Sequence, residues 1–375
     1  MRVLVNAVAA RAGGGSRHLG PFMRGLADAL PGAMFNVYVT TDFTESVLHP
    51  RVKWLNVDVP SGLNLRRLMW DNRTVRRIAK TSDLILSPLN FGPILPGTPH
   101  VLFQRNLSYF EPAYFRREPP RHRLRYGGYR WLAVAESNAA ESVIVPSEAM
   151  AVHLRRYMHD RSKIHVVPHG FEASEARRLS TEPLIDSAEG WSQGDVRLLH
   201  VGHPSRNKNL KVLPKVLAEL AADISPQRVT LAVTFGRRDR SGGTPEFYSA
   251  AERLGVAEQI SFLGPVPNRS LYPLYAKSSA LLFPSTCESF GYPVLEAFAC
   301  GTHVVASDIM SLSEVSGGLA LHHPPHDHRS AAAMVRRIVD NHDVPARDAL
   351  MARSHQFSWT SQCSRVAQII EAVLN

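Results

Sequence analysis

The 375-residue chain has three cysteines, 7 lysines and no long apolar run, and each scarcity excludes something. Cys287, Cys300 and Cys363 form no CxxC pair and leave one thiol over in any disulfide scheme. A disulfide-stapled fold and a cysteine-built zinc site are therefore out, and the usage reads as a reducing, cytoplasmic compartment. No stretch approaches the ~18 apolar residues that a membrane-spanning helix needs. Low-complexity tracts and internal repeats are missing as well, which excludes a mostly disordered chain and a solenoid. The start, MRVLVNAVAAR, imitates a short signal peptide, but Asn6 interrupts it and Arg11 follows at once. Val3 to Val8 reads instead as a buried first strand.

What is present is arginine, 36 of them, and a net charge of +10 that is unevenly placed. Residues 1–180 carry 25 Lys+Arg against 14 Asp+Glu, net +11, and residues 181–375 are close to neutral at −1. At roughly 100–200 residues per domain, the length suggests two domains. Short β-branched runs alternate with helical periodicity throughout, the pattern of βαβ units around parallel sheets. Eleven runs qualify as strands: 3–8, 35–40, 83–87, 100–104 and 142–147, then 196–202, 229–235, 259–264, 280–285, 302–307 and 318–323. They are many for one open sheet, so two doubly wound α/β domains are expected. The polar stretch 172–194 is the natural boundary, giving domains over 1–180 and 181–355 and a closing helix over 356–375.

The segment FPSTCESFGYPVLEAFACGTHVVAS, 283–307, holds the most chemistry. A strand ends at Phe283, Glu288 sits in the loop, and Pro293 falls where a first helical turn favours it. Ser289, Phe290 and Gly291 then offer backbone N–H groups at a helix N-terminus, a cradle for phosphate or hydroxyl. Glu296 lies inside the helix and would reach a different part of the same ligand. This segment resembles the retaining glycosyltransferases of family four, whose signature is two glutamates separated by seven residues. The resemblance implies the GT-B fold, two facing Rossmann-like doubly wound domains with a C-terminal helix packing back toward the first.

The resemblance also implies roles. Glu288 would contact donor-sugar hydroxyls, and Ser289, Phe290 and Gly291 would hold sugar and diphosphate. Glu296 would accept from the nucleotide ribose, for which a carboxylate is a good bidentate acceptor. In LLHVGHPSRNKNL, 198–210, Lys208 matches the family's diphosphate-binding cation. His203 stands where relatives often carry Arg, and Arg206 is the candidate to compensate. The triplet Gly13, Gly14 and Gly15 follows the first strand, where absent side chains allow a ligand close to the backbone. The resemblance makes Gly14 and Gly15 donor-side candidates, with Arg17 and His18 on the acceptor side. The family's histidine after the strand 100–104 is missing. Gln104 and Asn106 occupy that region, and an amide can bind a hydroxyl but not titrate. His169, in VVPHGF, replaces the Asn of a family turn and is a further acceptor-side candidate. VPNRSLYPLY, 266–275, matches the segment that borders the nucleotide base.

HHPPHDH, 322–328, imitates a metal cluster, but two prolines interrupt it and Asp327 has the look of a helix N-cap. No metal or other cofactor is expected, and the nucleotide-diphosphate sugar enters as co-substrate. The expected reaction is transfer of its sugar to a hydroxyl acceptor, such as a lipid-linked or cell-envelope glycan precursor. Rivals are a GT-B epimerase or phosphorylase and a non-catalytic sugar-nucleotide-binding subunit. Two segments, 63–80 and 115–132, concentrate arginine, the second with Tyr126, Tyr129 and Trp131 interleaved. They suit an anionic acceptor or peripheral contact with the inner face of a membrane. No nucleic-acid-binding motif accompanies them.

Overall fold

The computed structural model describes every residue except 11–13, 45, 118, 194 and 224–227, and only the backbone of 14–17, 117 and 121. The chain divides into an N-terminal unit, Met1–Gly170 with Phe357–Asn375, and a C-terminal unit, Phe171–Gln356. Both are parallel sheets flanked by helices. The N-terminal sheet is built from β1 (Arg2–Asn6), β2 (Met34–Thr40), β3 (Val52–Val57), β4 (Leu84–Ser87), β5 (His100–Phe103), β6 (Ser142–Val145) and β7 (Ile164–Val166). Its spatial order is β3-β2-β1-β4-β5-β6-β7. The C-terminal sheet uses β8 (Val196–His200), β9 (Val229–Val233), β10 (Ile260–Phe262), β11 (Ala280–Phe283), β12 (His303–Ser307) and β13 (Leu321–His323). Its order is β10-β9-β8-β11-β12-β13.

All eleven expected strands form. β3 and β7 are the two the sequence did not declare, and both lie at an edge of the first sheet. In each sheet the order runs outward in two directions from a central pair, β1/β4 and β8/β11. Such a reversal leaves a crevice beyond the carboxyl ends of that pair, where open α/β sheets bind ligands.

The division between units falls at Gly170/Phe171 rather than at the expected 180. The Ala173–Leu179 helix buries Ala173, Ala176 and Leu179. It does so against the Asn268–Lys277, Tyr292–Ala299 and Arg347–His355 helices, so it belongs to the C-terminal unit. The closing Trp359–Leu374 helix completes the N-terminal core. Its Cys363, Val366 and Ile370 pack among Val3, Val5, Phe22, Met23 and Leu26. Polar bonds hold its register: Gly170 N donates to Gln362 Oε1 at 2.8 Å, and Arg365 donates to Val166 O at 2.8 Å.

Candidate active site

At the β8/β11 reversal two loops meet. After β8 the chain reaches a 3-10 turn at Arg206–Lys208, and after β11 it reaches Glu288. Lys208 Nζ donates to Glu288 Oε1 at 2.7 Å, with the two side chains 13% and 14% exposed. Asn207 donates to the same carboxylate oxygen at 3.2 Å and to Cys287 O at 2.9 Å. Thr286 N returns a bond to Asn207 O at 2.7 Å. The two loops are thereby joined, and the ammonium also lies 4.6 Å from the centre of the Phe283 ring. A cation–carboxylate pair this sheltered can reorganise around a ligand carrying both a diphosphate and hydroxyls. Arg206 is exposed on the same turn.

Below Lys208, His200 ends β8 fully buried, with Nδ1 donating to Leu282 O at 2.9 Å. Burial lowers its pKa to about 4, so the ring is neutral and adds no positive charge beneath Lys208. Behind the turn, Gly242 has φ +54, and a Cβ there would stand 1.5 Å from Pro204 O. The glycine lets the loop that follows β9 lie directly on the Pro204–Ser205 backbone.

Glu288 leads into Gly291, whose φ of +118 caps the Tyr292–Ala299 helix. The positive φ is what requires glycine here; a Cβ would also press on Leu312 Cδ2 at 2.8 Å, the far end of a side chain. Phe290 is buried and its ring meets Tyr292 edge-on at 5.3 Å. Pro293 occupies the first turn as expected. Glu296, one turn on and 2% exposed, accepts from Tyr275 Oη at 2.8 Å. That bond ties the signature helix to the Asn268–Lys277 helix, the segment matched to the base-bordering position. Glu288, Lys208, Arg206, Ser289, Phe290, Gly291 and Glu296 thus belong to one end of one unit. Asn207, Tyr275 and Gly242 were not singled out from the sequence. Asn207 carried a signal, since it stands between the two basic residues already chosen.

The N-terminal candidates fare differently. Gly13 lies outside the described residues, as does the side chain of Arg17; Gly14 and Gly15 open the Gly14–Ala29 helix. Gln104 is fully buried, and the two N–H groups of its amide are shared among Asn90 O, Ala133 O and Ser137 Oγ at 3.1–3.3 Å. Its N–H groups hold the 120–139 helix to the sheet, a structural use of the amide beside the expected one. Asn106 accepts from Ser108 N at 3.1 Å and caps a short 3-10 turn, a local structural use. His18 is buried beside Trp359, ring centres 5.9 Å apart. His169 is buried too. Burial first, then the charges of Arg105 and His18, drives its pKa well below the ordinary value.

Asp327 caps the His328–Val339 helix, accepting from Arg329 N and Ser330 N. His326 Nδ1 pairs with Asn209 Oδ1 at 3.0 Å. Among the described residues no three potential metal ligands converge.

Two doubly wound units, the second with a cation–carboxylate pair at its strand reversal, define the GT-B fold class. The family model described as glycosyl transferases group 1 matches residues 182–355, and that of glycosyltransferase family 4 matches residues 12–175. The chain belongs to this glycosyltransferase family. Among its relatives is a D-inositol 3-phosphate glycosyltransferase of Streptomyces scabiei, 28% identical over 246 residues, covering 63% of this chain and 55% of the relative. Another is O-antigen chain mannosyltransferase B of Escherichia coli, 38% identical over 102 residues and 27% of each chain. This chain spans about half the length of the first of these. Among solved structures, Anabaena HepE in complex with UDP and glucose superimposes with a TM-score of 0.73 at 20% identity. It covers 99% of this chain and 100% of that one, a likeness of fold.

Proposed function

We propose that the protein is a retaining glycosyltransferase that moves a sugar from a nucleoside-diphosphate sugar to a hydroxyl acceptor. The observation that carries this reading is the 2.7 Å bond at the β8/β11 reversal from Lys208 to Glu288, the first glutamate of the family signature. In this reading the donor's diphosphate takes Lys208 away from Glu288, and the freed carboxylate accepts from sugar hydroxyls. Glu296 receives the ribose. The bond from the anomeric carbon to the diphosphate breaks with its electron pair moving onto the phosphate oxygen. Lys208, Arg206 and the N–H groups at the signature helix stabilise that charge, without a metal. The acceptor hydroxyl adds to the anomeric carbon on the same face, and its proton passes to the departing diphosphate. No carboxylate nucleophile is needed.

The acceptor in this reading is an anionic or lipid-linked precursor of a cell-envelope glycan. It is met at the inner face of a membrane by the arginine surface of 63–80 and 115–132. The relatives' names, one for an inositol phosphate and one for an O-antigen chain, support an anionic or envelope acceptor. Thermal-shift titration with UDP, GDP, ADP and dTDP tests the donor half: one should raise the midpoint selectively by mass action. The matching nucleotide sugar then shows anomeric retention by NMR of the product. Indifference to all four diphosphates sinks the reading, and inversion of the product sinks its mechanism.

A further inference from the structure

The two arginine-rich segments, some fifty residues apart in sequence, come together in the N-terminal unit. The Leu65–Met69 helix and the Pro120–Ala139 helix border an open groove of about 720 Å³. Leu65, Leu68, Met69, Leu124, Trp131 and Leu132 supply much of its lining. Ten large apolar side chains are conspicuously exposed among the described residues. Four of them line this one groove: Leu65 at 73%, Met69 at 46%, Leu124 at 83% and Trp131 at 67%. Leu95, 67% exposed, follows Ile94 at its margin. Single exposed leucines are ordinary, but such a concentration marks a surface that is covered in use.

Among the described residues that line the groove every charge is positive, and on its flank Arg66 pairs with the exposed Asp58 at 3.3 Å. Arg73 and Arg125 line it, and Arg66, Arg76, Arg77, Lys80, Arg116 and Arg123 are exposed on the same segments. The one acid described within 63–80, Asp71, is fully buried, where it accepts from Arg67 at 2.7 Å. An acyl-chain-sized apolar trough, a tryptophan at its edge and a rim of guanidinium groups match one chemistry, an anionic phospholipid in a bilayer. Guanidinium forks take phosphate oxygens in pairs, their stems lie along apolar surface, and tryptophan settles at the level of the headgroups.

We propose that this groove docks the protein on an anionic bilayer, with Leu124 and Trp131 entering the headgroup layer and one acyl chain lying between the two helices. The proposal deepens the acceptor half of the reading above and rests on it for its biological use, but it concerns a surface separate from the donor loops.

The test uses the full chain with vesicles of phosphatidylcholine alone or containing roughly 30 mol% phosphatidylglycerol. Wild-type protein should float with the anionic vesicles and not with the neutral ones. Lipid brominated along its chains should quench Trp131 fluorescence, read as the difference from Trp131→Phe. The variant Leu65→Ser/Leu124→Ser/Trp131→Ser, at exposed positions, should bind anionic vesicles at least roughly tenfold more weakly. Arg73→Glu/Arg125→Glu should lose a similar factor. Both variants should keep the wild-type thermal midpoint and nucleotide-induced shift, so failure of the docking and failure of the donor reading are told apart. Equal binding to both vesicle types overturns the proposal. So does flotation without chain quenching, which would mark adsorption by charge alone. A dimer that the serine variant dissociates, without vesicle binding by the wild type, assigns the groove to a second copy and overturns it too.

Discussion

Lys208→Ala should weaken nucleoside-diphosphate binding, and adding Glu288→Gln to it should restore part of the loss. The ammonium and carboxylate sit 2.7 Å apart and are 13% and 14% exposed, so each is the other's main compensation. At an effective dielectric of about 20, unit charges about 5 Å apart interact by roughly 3 kcal/mol, and partial exposure brings this to about 1–2 kcal/mol. Lys208→Ala removes that attraction for the diphosphate. It also leaves the Glu288 carboxylate uncompensated beside it, a repulsion of about 1 kcal/mol. The sum, about 2–3 kcal/mol, is a loss of roughly 30- to 150-fold in affinity. The double variant lacks the repulsion and should bind roughly fivefold tighter than Lys208→Ala. Glu288→Gln alone should leave diphosphate affinity unchanged or improved while lowering turnover of the full donor. Isothermal titration with the diphosphate chosen by thermal shift, at two ionic strengths, gives all four corners of the cycle. A double variant no tighter than Lys208→Ala, or a Glu288→Gln affinity loss as large as that of Lys208→Ala, would refute the arrangement of charges.

Gly242→Ala should destabilise the C-terminal unit by about 3 kcal/mol or more, because the new Cβ would have to displace Pro204 O. Gly255→Ala, at φ +68 with nothing within 4 Å, should cost only about 1 kcal/mol, a contrast that chemical denaturation measures directly. Tyr275→Phe strips Glu296 of a buried partner. It should lower stability by about 1–3 kcal/mol and raise the donor KM more than it lowers kcat; an unchanged KM would detach Glu296 from nucleotide binding. Glu136 is buried, and burial together with the Asp71 charge holds it protonated well above its ordinary value of 4.5. The unfolded chain releases that proton and the folded chain keeps it. This contribution to stability is therefore full below 4.5 and lost as pH rises toward the folded pKa, by up to about 1.4 kcal/mol per pH unit. Glu136→Gln should accordingly gain on wild type in urea midpoints as pH rises above the ordinary value of 4.5; a gap that does not change with pH would contradict a protonated Glu136.

The strands that the sequence announced most plainly are those whose residues are buried on both faces. β4, β5, β6 and β11 are buried at every position, and a run such as LILS or ALLF can do little else in a parallel sheet. β3 and β7 carry weaker apolar patterns, although β10 and β13, also at edges, were legible. VKWLNV buries little beyond Val52, and β7 is three residues long. The boundary at Gly170 was hidden for a related reason: the Ala173–Leu179 helix buries two alanines and one leucine, too small a stripe to register as a core face. The donor-side candidates were legible because loop, helix start and glutamates lie within one continuous segment. The structural use of Gln104 was not legible because its partners, Ala133 and Ser137, lie some thirty residues away on a helix. The groove was invisible for the same reason, as each of its walls alone reads as a solvated basic helix.

The placement of the Trp359–Leu374 helix in the N-terminal core bears on the order in which the protein takes shape during synthesis. The C-terminal unit is one unbroken stretch, Phe171–Gln356, so all of it has been translated before that helix exists. The first sheet begins with residue 2, yet Cys363, Val366 and Ile370 reach it only afterwards. Until then the apolar flank of the Gly14–Ala29 helix stands uncovered while the ribosome completes a whole second body. The half of the molecule that is made first is thus finished last.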